Sequence, residues 1–377
     1  MLTRNDIQHM LTDALRAQLA RSKADALSVF DKQNFSALFD GLTVEQRTRF
    51  EEVAGDMFNQ PAKRFSSLEN MINYYYAVYL YYGQVNFLTS GSTGAYKKCP
   101  HTTVMIEEEA WGVKPEFEGV KRVVGLVPVH HLYGFTFTLM LPRVLPAEVV
   151  WLPALPTANW QALLKEGDLV VAFPLFWQYW VKLGNKFPKG VRGMSSTSPM
   201  KDETISALYD LGIEKFTEIY GSSETGAIAF RHNAGEAFEI FEFWDLDLKD
   251  QIRLKRKSQQ EWQVLPDQAN MENARFIRPI GRTDRCVQVA GINVYPGHVE
   301  EVLSQHPAVK ECKVRLMRPE EGERLKAFIV PNEGYSEAHL GIIRTYLSQK
   351  LSVHEMPRSF TFGSRLPVNE IGKDCDW

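Results

Sequence analysis

Over roughly the first 85 residues, apolar side chains recur at three- and four-residue spacings, as at Ile7, Met10, Leu11 and Leu15, and this periodicity predicts helices. The aromatic run YYYAVYLYY, Tyr74 to Tyr82, reads as a buried helix or strand rather than a stacking surface. From about residue 86 the texture changes to short apolar runs bounded by Gly and Pro. VVGLVPV (123–129), EVVWLPA (148–154) and GDLVVAFP (167–174) are strand-like, and the helical stretches NWQALLKE and KDETISALYDLG alternate with them. Such alternation predicts an α/β fold with a mostly parallel sheet at its core. EAFEIFEFWDLDL and QIRLKRK then alternate in polarity, as antiparallel strands do. After Gly281 a shorter succession of turn, strand, helix and strand predicts a small α+β domain. The expected division is therefore 1–281 and 282–377.

Composition narrows the function classes. The chain has 377 residues, 44% hydrophobic and 24% charged, as in ordinary globular proteins. A net charge of −3 gives no electrostatic reason to expect nucleic acid or an anionic membrane surface. No apolar run reaches the length of a membrane span, and the first residues carry charges throughout, so the expected location is the cytoplasm. The four cysteines are dispersed without a C-x-x-C pair, which suggests neither a disulfide framework nor a zinc site.

Chemistry enters at FLTSGSTGAYKK, which begins at Phe87. Its glycines and hydroxyls suit an anion, because small residues let backbone N–H groups approach phosphate. It is not the P-loop of nucleotide triphosphatases: counting from Gly91, Tyr96 stands where the second glycine belongs, and a second lysine stands in place of Ser or Thr. Four further patterns follow in order. LVPVHHLYGF holds Pro128, His131 and Gly134; EIYGSSETGAIAFR holds Tyr220 to Glu224; GRTDRCVQVAGINVYPGHVEE holds Arg282, Asp284 and Gly291; LPVNEIGKDCDW holds Pro367, Gly372 and Lys373.

Together these patterns resemble the adenylate-forming superfamily of acyl- and aryl-CoA synthetases, peptide-synthetase adenylation domains and luciferase. The family's Thr-Ser-Gly-Ser/Thr-Thr-Gly-x-Pro-Lys loop is matched from Thr89 to Lys97, its Tyr-Gly-x-Thr/Ser-Glu from Tyr220 to Glu224, its Gly-Arg-x-Asp hinge from Gly281 to Asp284, and its Pro-x4-Gly-Lys ending from Pro367 to Lys373. The resemblance implies a large adenylation domain with a small mobile lid. It implies a ligase that attaches a carboxylic acid, aryl or medium acyl, to AMP and then to the thiol of CoA or of a carrier-protein phosphopantetheine. On the same basis Thr89, Ser90, Gly91, Ser92, Thr93, Gly94 and Lys97 would hold the β- and γ-phosphates of ATP. Tyr220 would lie against adenine, with Gly221, Ser222 and Ser223 near the α-phosphate. Glu224 would hold Mg²⁺, a hard cation suited to carboxylate and phosphate oxygens. Lys373 would be the catalytic cation, His131 a gate beside the acyl group, Asp284 the hinge and Gly291 part of the thiol channel.

The ribose carboxylate of the family lies in a Thr-Gly-Asp tripeptide that is missing here. Asp267, at the end of VLPD and fourteen residues before Gly281, takes that role on the family's spacing, with Arg282 beside it. The acyl pocket is expected from Tyr133, Gly134, Phe176, Trp177 and Ser198, whose aromatics suit a flat acid and suit a core equally. Departures are the proline replaced by Tyr96, Asn293 for a common Arg, His298 for a frequent Glu, and Cys375-Asp376 where an Arg usually follows Gly-Lys. Fewer residues precede the phosphate loop than in the family's long members, which implies a shortened first subdomain. That shape resembles compact ligases of bacterial aryl-polyene pigment clusters, which charge an aryl acid onto a carrier protein. Bland readings stand beside these: Lys373 as a solvated lysine near a terminus, Glu224 as a helix-capping acid, and the whole chain as a nucleotide-binding relic with a scaffolding role.

Overall fold

The computed structural model describes residues 1–21, 35–90, 96–152, 160–249, 251–282, 286–318, 320–322, 324–367 and 377. The N-terminal helical pattern folds as predicted, into α1 (Arg4–Arg21), α2 (Val44–Met57) and α3 (Leu68–Tyr82). Local chemistry fixes their ends. Thr43 and Gln46 form a reciprocal capping box at the start of α2. Ser67 caps α3, and Gly83, at φ +62°, closes it in the left-handed conformation. Of the aromatic run, Tyr75 and Tyr79 are buried, while Tyr81 and Tyr82 are exposed at the last turn of the helix.

The chain forms two compact units, one from Met1–Thr89 and Lys98–Gly281, the other from Ser90–Lys97 and Arg282–Trp377. In the first, α4 (Thr103–Val113) follows a two-stranded sheet of Gln84–Ser90 and Tyr96–Thr102. The main sheet then collects β1 (Arg122–Gly125), β2 (Glu148–Trp151), β3 (Asp168–Ala172), β4 (Arg192–Ser195), β5 (Lys215–Ser222), β6 (Gly226–Arg231), β7 (Phe238–Ile240), β8 (Asp267–Met271) and β9 (Phe276–Arg282). Among the described residues its order is β8-β9-β7-β6-β5-β4-β3-β1-β2. The five strands from β2 to β5 are parallel, and β6, β7 and β9 extend them antiparallel.

Both faces of the parallel half are covered, so its strands are continuous apolar runs. Leu169 and Val171 of β3 face one cluster with Val113, Phe117 and Ile219. Val170 and Ala172 face the other, with Trp160, Phe176 and Trp177, where α5 (Pro174–Leu183) and α6 (Asp202–Asp210) pack. Trp244–Asp247, Arg253–Arg256 and Gln263–Val264 make a separate antiparallel sheet. EAFEIFEFWDLDL is thus divided between two sheets, at a turn where Phe241 and Phe243 are both buried.

The second unit is the expected α+β fold. A hairpin of Val287–Val289 and Ile292–Val294 precedes helix Pro296–Ser304. A three-stranded sheet, Val309–Leu316, Leu325–Pro331 and Ser359–Phe362, packs with helix Leu340–Lys350 around Val299, Leu303, Ile329 and Leu347.

Candidate active site

Strand β5 leaves the core at its carboxyl end, buried from Phe216 through Ile219 and opening at Tyr220. A bulge between Tyr220 and Gly221 then leads into a tight turn to β6. Glycine is required at Gly221 because a Cβ there would lie 2.2 Å from the Gly226 carbonyl oxygen. The turn is closed by its own hydroxyls. Ser222 N donates to Thr225 Oγ1 at 3.2 Å, and Thr225 N donates to Ser222 Oγ at 3.2 Å. Gly226 follows at φ +81°. The Tyr220 hydroxyl donates to Asp267 Oδ2 at 2.7 Å, joining the end of β5 to the first residue of β8 across the sheet. Tyr220 and Asp267 are half-buried, as are Ser222, Ser223 and Glu224.

Beneath the turn lies a network of buried charge. Arg256, 0% exposed, donates to Glu109 Oε2 and to the Thr225 carbonyl, each at 2.5 Å, and to the Met105 carbonyl at 3.3 Å. Its guanidinium lies 4.7 Å from the Trp244 ring centre and 5.2 Å from that of Phe243. Glu109, 3% exposed, accepts from Ala227 N at 3.2 Å and from Thr136 Oγ1 at 3.1 Å. The His101 Nε2–H donates to the Ser223 carbonyl at 2.8 Å. Burial holds the His101 pKa below its ordinary value, so the ring is neutral. Its edge meets Phe87, which in turn meets Phe135.

A second feature lies where the strand order reverses. Chain order runs outward from β1 to β2 on one side and through β3, β4 and β5 on the other. The carboxyl ends of β1 and β3 therefore form a switch point, where open α/β sheets place ligands. Tyr133 follows β1 and donates its hydroxyl to the carbonyl of Ala172, the last residue of β3, at 2.9 Å. Burial raises the Tyr133 pKa well above the phenol range, so it stays a neutral donor. Gly134 is buried against the carbonyl of Pro128, 2.2 Å from where a Cβ would stand. His131 is exposed at the start of the short helix Leu132–Phe135.

A profile of AMP-binding enzymes matches residues 85–251, and one of the AMP-binding enzyme C-terminal domain matches 298–373. A 4-coumarate–CoA ligase of Rhodobacter capsulatus is 36% identical over 308 residues, covering 78% of this chain and 75% of the relative. The chain belongs to the AMP-binding enzyme family. A 4-coumarate–CoA ligase of Halorhodospira halophila is 33% identical over 77% of this chain and 74% of its own length. An o-succinylbenzoate CoA synthetase of Bacillus subtilis shares the fold, with TM-score 0.64 at 19% identity, covering 77% of this chain and 67% of that one. The protein is an AMP-forming ligase that joins an acid to a thiol.

In this AMP-binding enzyme the structure brings Tyr220, Gly221, Ser222, Ser223, Glu224 and Asp267 to one edge of the first unit. Thr89 is half-buried at the end of its strand and Lys97 is exposed on the next. Gly91, Ser92, Thr93, Gly94, Asp284 and Lys373 lie outside the described residues, as do the side chains of Ser90 and Arg282. Phe176 and Trp177, expected in the acyl pocket, are in the core instead. They are 1% and 0% exposed, and Trp177 Nε1 donates to the Met194 carbonyl at 3.0 Å. Ser198 is half-buried beside Thr197, whose φ of +78° is unusual for a β-branched residue. Gly291 and Ala290 form a two-residue hairpin turn, both at positive φ, a geometry that by itself favours glycine.

Sequence reasoning missed His101, Glu109 and Arg256. A signal existed for two of them. Glu109 falls on the helical face of Met105, Ile106 and Val113, and Arg256 alternates with Lys255 on the same strand face as Leu254. Among the described residues no three His, Cys, Asp or Glu side chains gather as a metal cage, and no helix is long and apolar enough to cross a membrane.

Proposed function

We propose that this ligase activates an aryl acid of the hydroxycinnamate kind with ATP and transfers the acyl group to CoA. The observation that carries the reading is the Tyr220–Asp267 hydrogen bond beside the Ser222–Gly226 turn. It sets an aromatic face, a carboxylate and a hydroxyl-rich turn next to one another. Support for the acid and the acceptor comes from the relatives, named 4-coumarate–CoA ligases at 36% and 33% identity.

In the first step a carboxylate oxygen of the acid attacks the α-phosphorus of ATP, and pyrophosphate leaves. Two anions must meet, so the protein's task is positioning and charge neutralisation. Tyr220 would lie on adenine while its hydroxyl orients Asp267 toward the ribose hydroxyls. Ser222 and Ser223 would donate to the α-phosphate. Thr89 to Gly94 and Lys97 would hold the β- and γ-phosphates, and Lys373 would meet the attacking carboxylate. Glu224 would hold Mg²⁺. A single protein carboxylate fits an ion that takes its remaining ligands from phosphate and water, where it neutralises charge. In the second step the thiol sulfur attacks the acyl carbon, AMP leaves, and the thiol proton passes to solvent. Arg282 would lie beside Asp267 at the ribose, while Asp284 and Gly291 would serve that second stage, as hinge and thiol channel. Tyr133, Gly134, Ser198 and His131 would surround the acid. Its apolar body suits the half-buried ring of Tyr133 at the switch point.

The test is exchange of labelled pyrophosphate into ATP across a panel of carboxylic acids, followed by transfer to CoA or to a phosphopantetheinyl carrier protein. Exchange with hydroxycinnamates and transfer to CoA support the reading. Transfer to the carrier protein alone replaces the acceptor. Nucleotide binding without exchange for any acid leaves the scaffolding alternative.

A further inference from the structure

We propose that Arg256, oriented by Glu109, is a positioning residue for the adenylation step, acting through the backbone on either side of Glu224. The inference rests on the role proposed above for Glu224. The juxtaposition is specific. Thr225, which follows Glu224, has its carbonyl held by Arg256 at 2.5 Å, and Ser223, which precedes it, has its carbonyl held by the His101 imidazole at 2.8 Å. The backbone of Glu224 is thus clamped from beneath at both neighbours, while its own side chain is half-buried rather than drawn into the core. The clamp comes from three remote segments: the strand carrying His101, helix α4 carrying Glu109, and the small sheet carrying Arg256.

A fully buried guanidinium needs a structural or functional reason, because replacing a buried ion pair by apolar residues is often neutral for stability. Here one nitrogen serves both the turn and Glu109, and another reaches the Met105 carbonyl. The first holds the Thr225 carbonyl, while Glu109 steadies the guanidinium with one oxygen and holds Ala227 N with the other. The cleft between turn and pair is closed to added volume, since a Cβ on Gly226 would stand 2.0 Å from Glu109 Oε2 and 2.6 Å from an Arg256 nitrogen. Sub-ångström placement of a metal-binding carboxylate matters where catalysis is mainly charge positioning. An Arg fork supplies it better than a point charge, because its planar donors fix direction as well as distance.

Two variants separate positioning from folding. The double variant Glu109→Met, Arg256→Met removes both charges and keeps volume. Arg256→Lys keeps the charge pair and loses the fork. The readouts are the urea unfolding midpoint, calorimetric affinity for ATP with Mg²⁺ and for AMP alone, and acid-dependent pyrophosphate exchange with its kcat and KM for the acid. The expected result for the folded double variant is near-unchanged AMP affinity, because the Tyr220–Asp267 pair is untouched. Affinity for ATP with Mg²⁺ and exchange kcat fall about tenfold or more, with KM for the acid unchanged. Arg256→Lys falls between this variant and the wild type. ATP affinity and kcat within twofold of wild type in the folded double variant overturn the proposal. If the double variant does not fold, the same result for Arg256→Lys overturns it. If the wild type supports exchange with no acid, the function proposed above fails, while the two nucleotide affinities still decide the role of Arg256.

Discussion

Gly226→Ala tests the packing under the turn directly. Gly226 has φ +81°, and an alanine forced into that region costs about 1–2 kcal/mol. A second cost is steric. The new Cβ would stand 2.0 Å from Glu109 Oε2 and 2.6 Å from an Arg256 nitrogen, so the buried pair must part. Breaking such a pair costs about 3–5 kcal/mol when no water can replace the lost partner. Partial relaxation of the turn brings the expected total to about 3–5 kcal/mol. Gly235 supplies the control: its φ is +72°, and nothing lies within 4 Å of a Cβ there. Gly235→Ala therefore carries only the conformational cost, about 1–2 kcal/mol. Urea unfolding of both variants beside wild type measures the difference, and Gly226→Ala is expected to lower the midpoint clearly further. Equal midpoints for the two alanines would refute the tight packing of Glu109 and Arg256 against the turn.

Three further outcomes follow from the geometry and the proposed roles. Tyr220→Phe removes the donor to Asp267 and keeps the ring, so KM for ATP rises about three- to tenfold with kcat little changed; initial rates at varied ATP check it, and an unchanged KM contradicts the pairing. Lys373→Ala lowers adenylation about 100-fold or more and leaves thiol transfer from a supplied acyl-adenylate largely intact, and equal loss in both half-reactions contradicts its assignment. Glu116 tests a pH dependence. Burial alone would raise its pKa, but hydrogen bonds from His232 and Lys215 outweigh burial and hold it below its ordinary 4.5. A folded value below the unfolded one means that Glu116 stabilises the fold fully above about pH 4.5 and loses this as pH falls through the folded value. The stability gap between wild type and Glu116→Gln is therefore expected to close as pH falls below about 4.5; a gap that stays constant from about pH 5 down to about pH 3 contradicts it.

The parallel core was legible because strands buried on both faces are unbroken apolar runs, as in β3 between Gly167 and Pro174. Lengths were less so. VVGLVPV contributes only Val123–Gly125 to the strand Arg122–Gly125, and its remaining residues lead out of the sheet. Tyr220 to Glu224 and Asp267 were readable as residue types suited to nucleotide, but their contact spans 47 positions and needed the sheet order. Phe176 and Trp177 show the limit of composition: large aromatics signal a flat-ligand pocket and a core alike, and here the core claims them. The charges beneath the turn were hidden for the opposite reason. Glu and Arg are read as solvent-facing, and only the phase of helix and strand reveals that Glu109 and Arg256 point inward.

The central claim is adenylation of an acid by this chain, and exchange of labelled pyrophosphate into ATP measures it most directly. The account predicts acid-dependent exchange, strongest with hydroxycinnamates. Absence of exchange with every acid tested, from a folded protein that binds AMP, would contradict it.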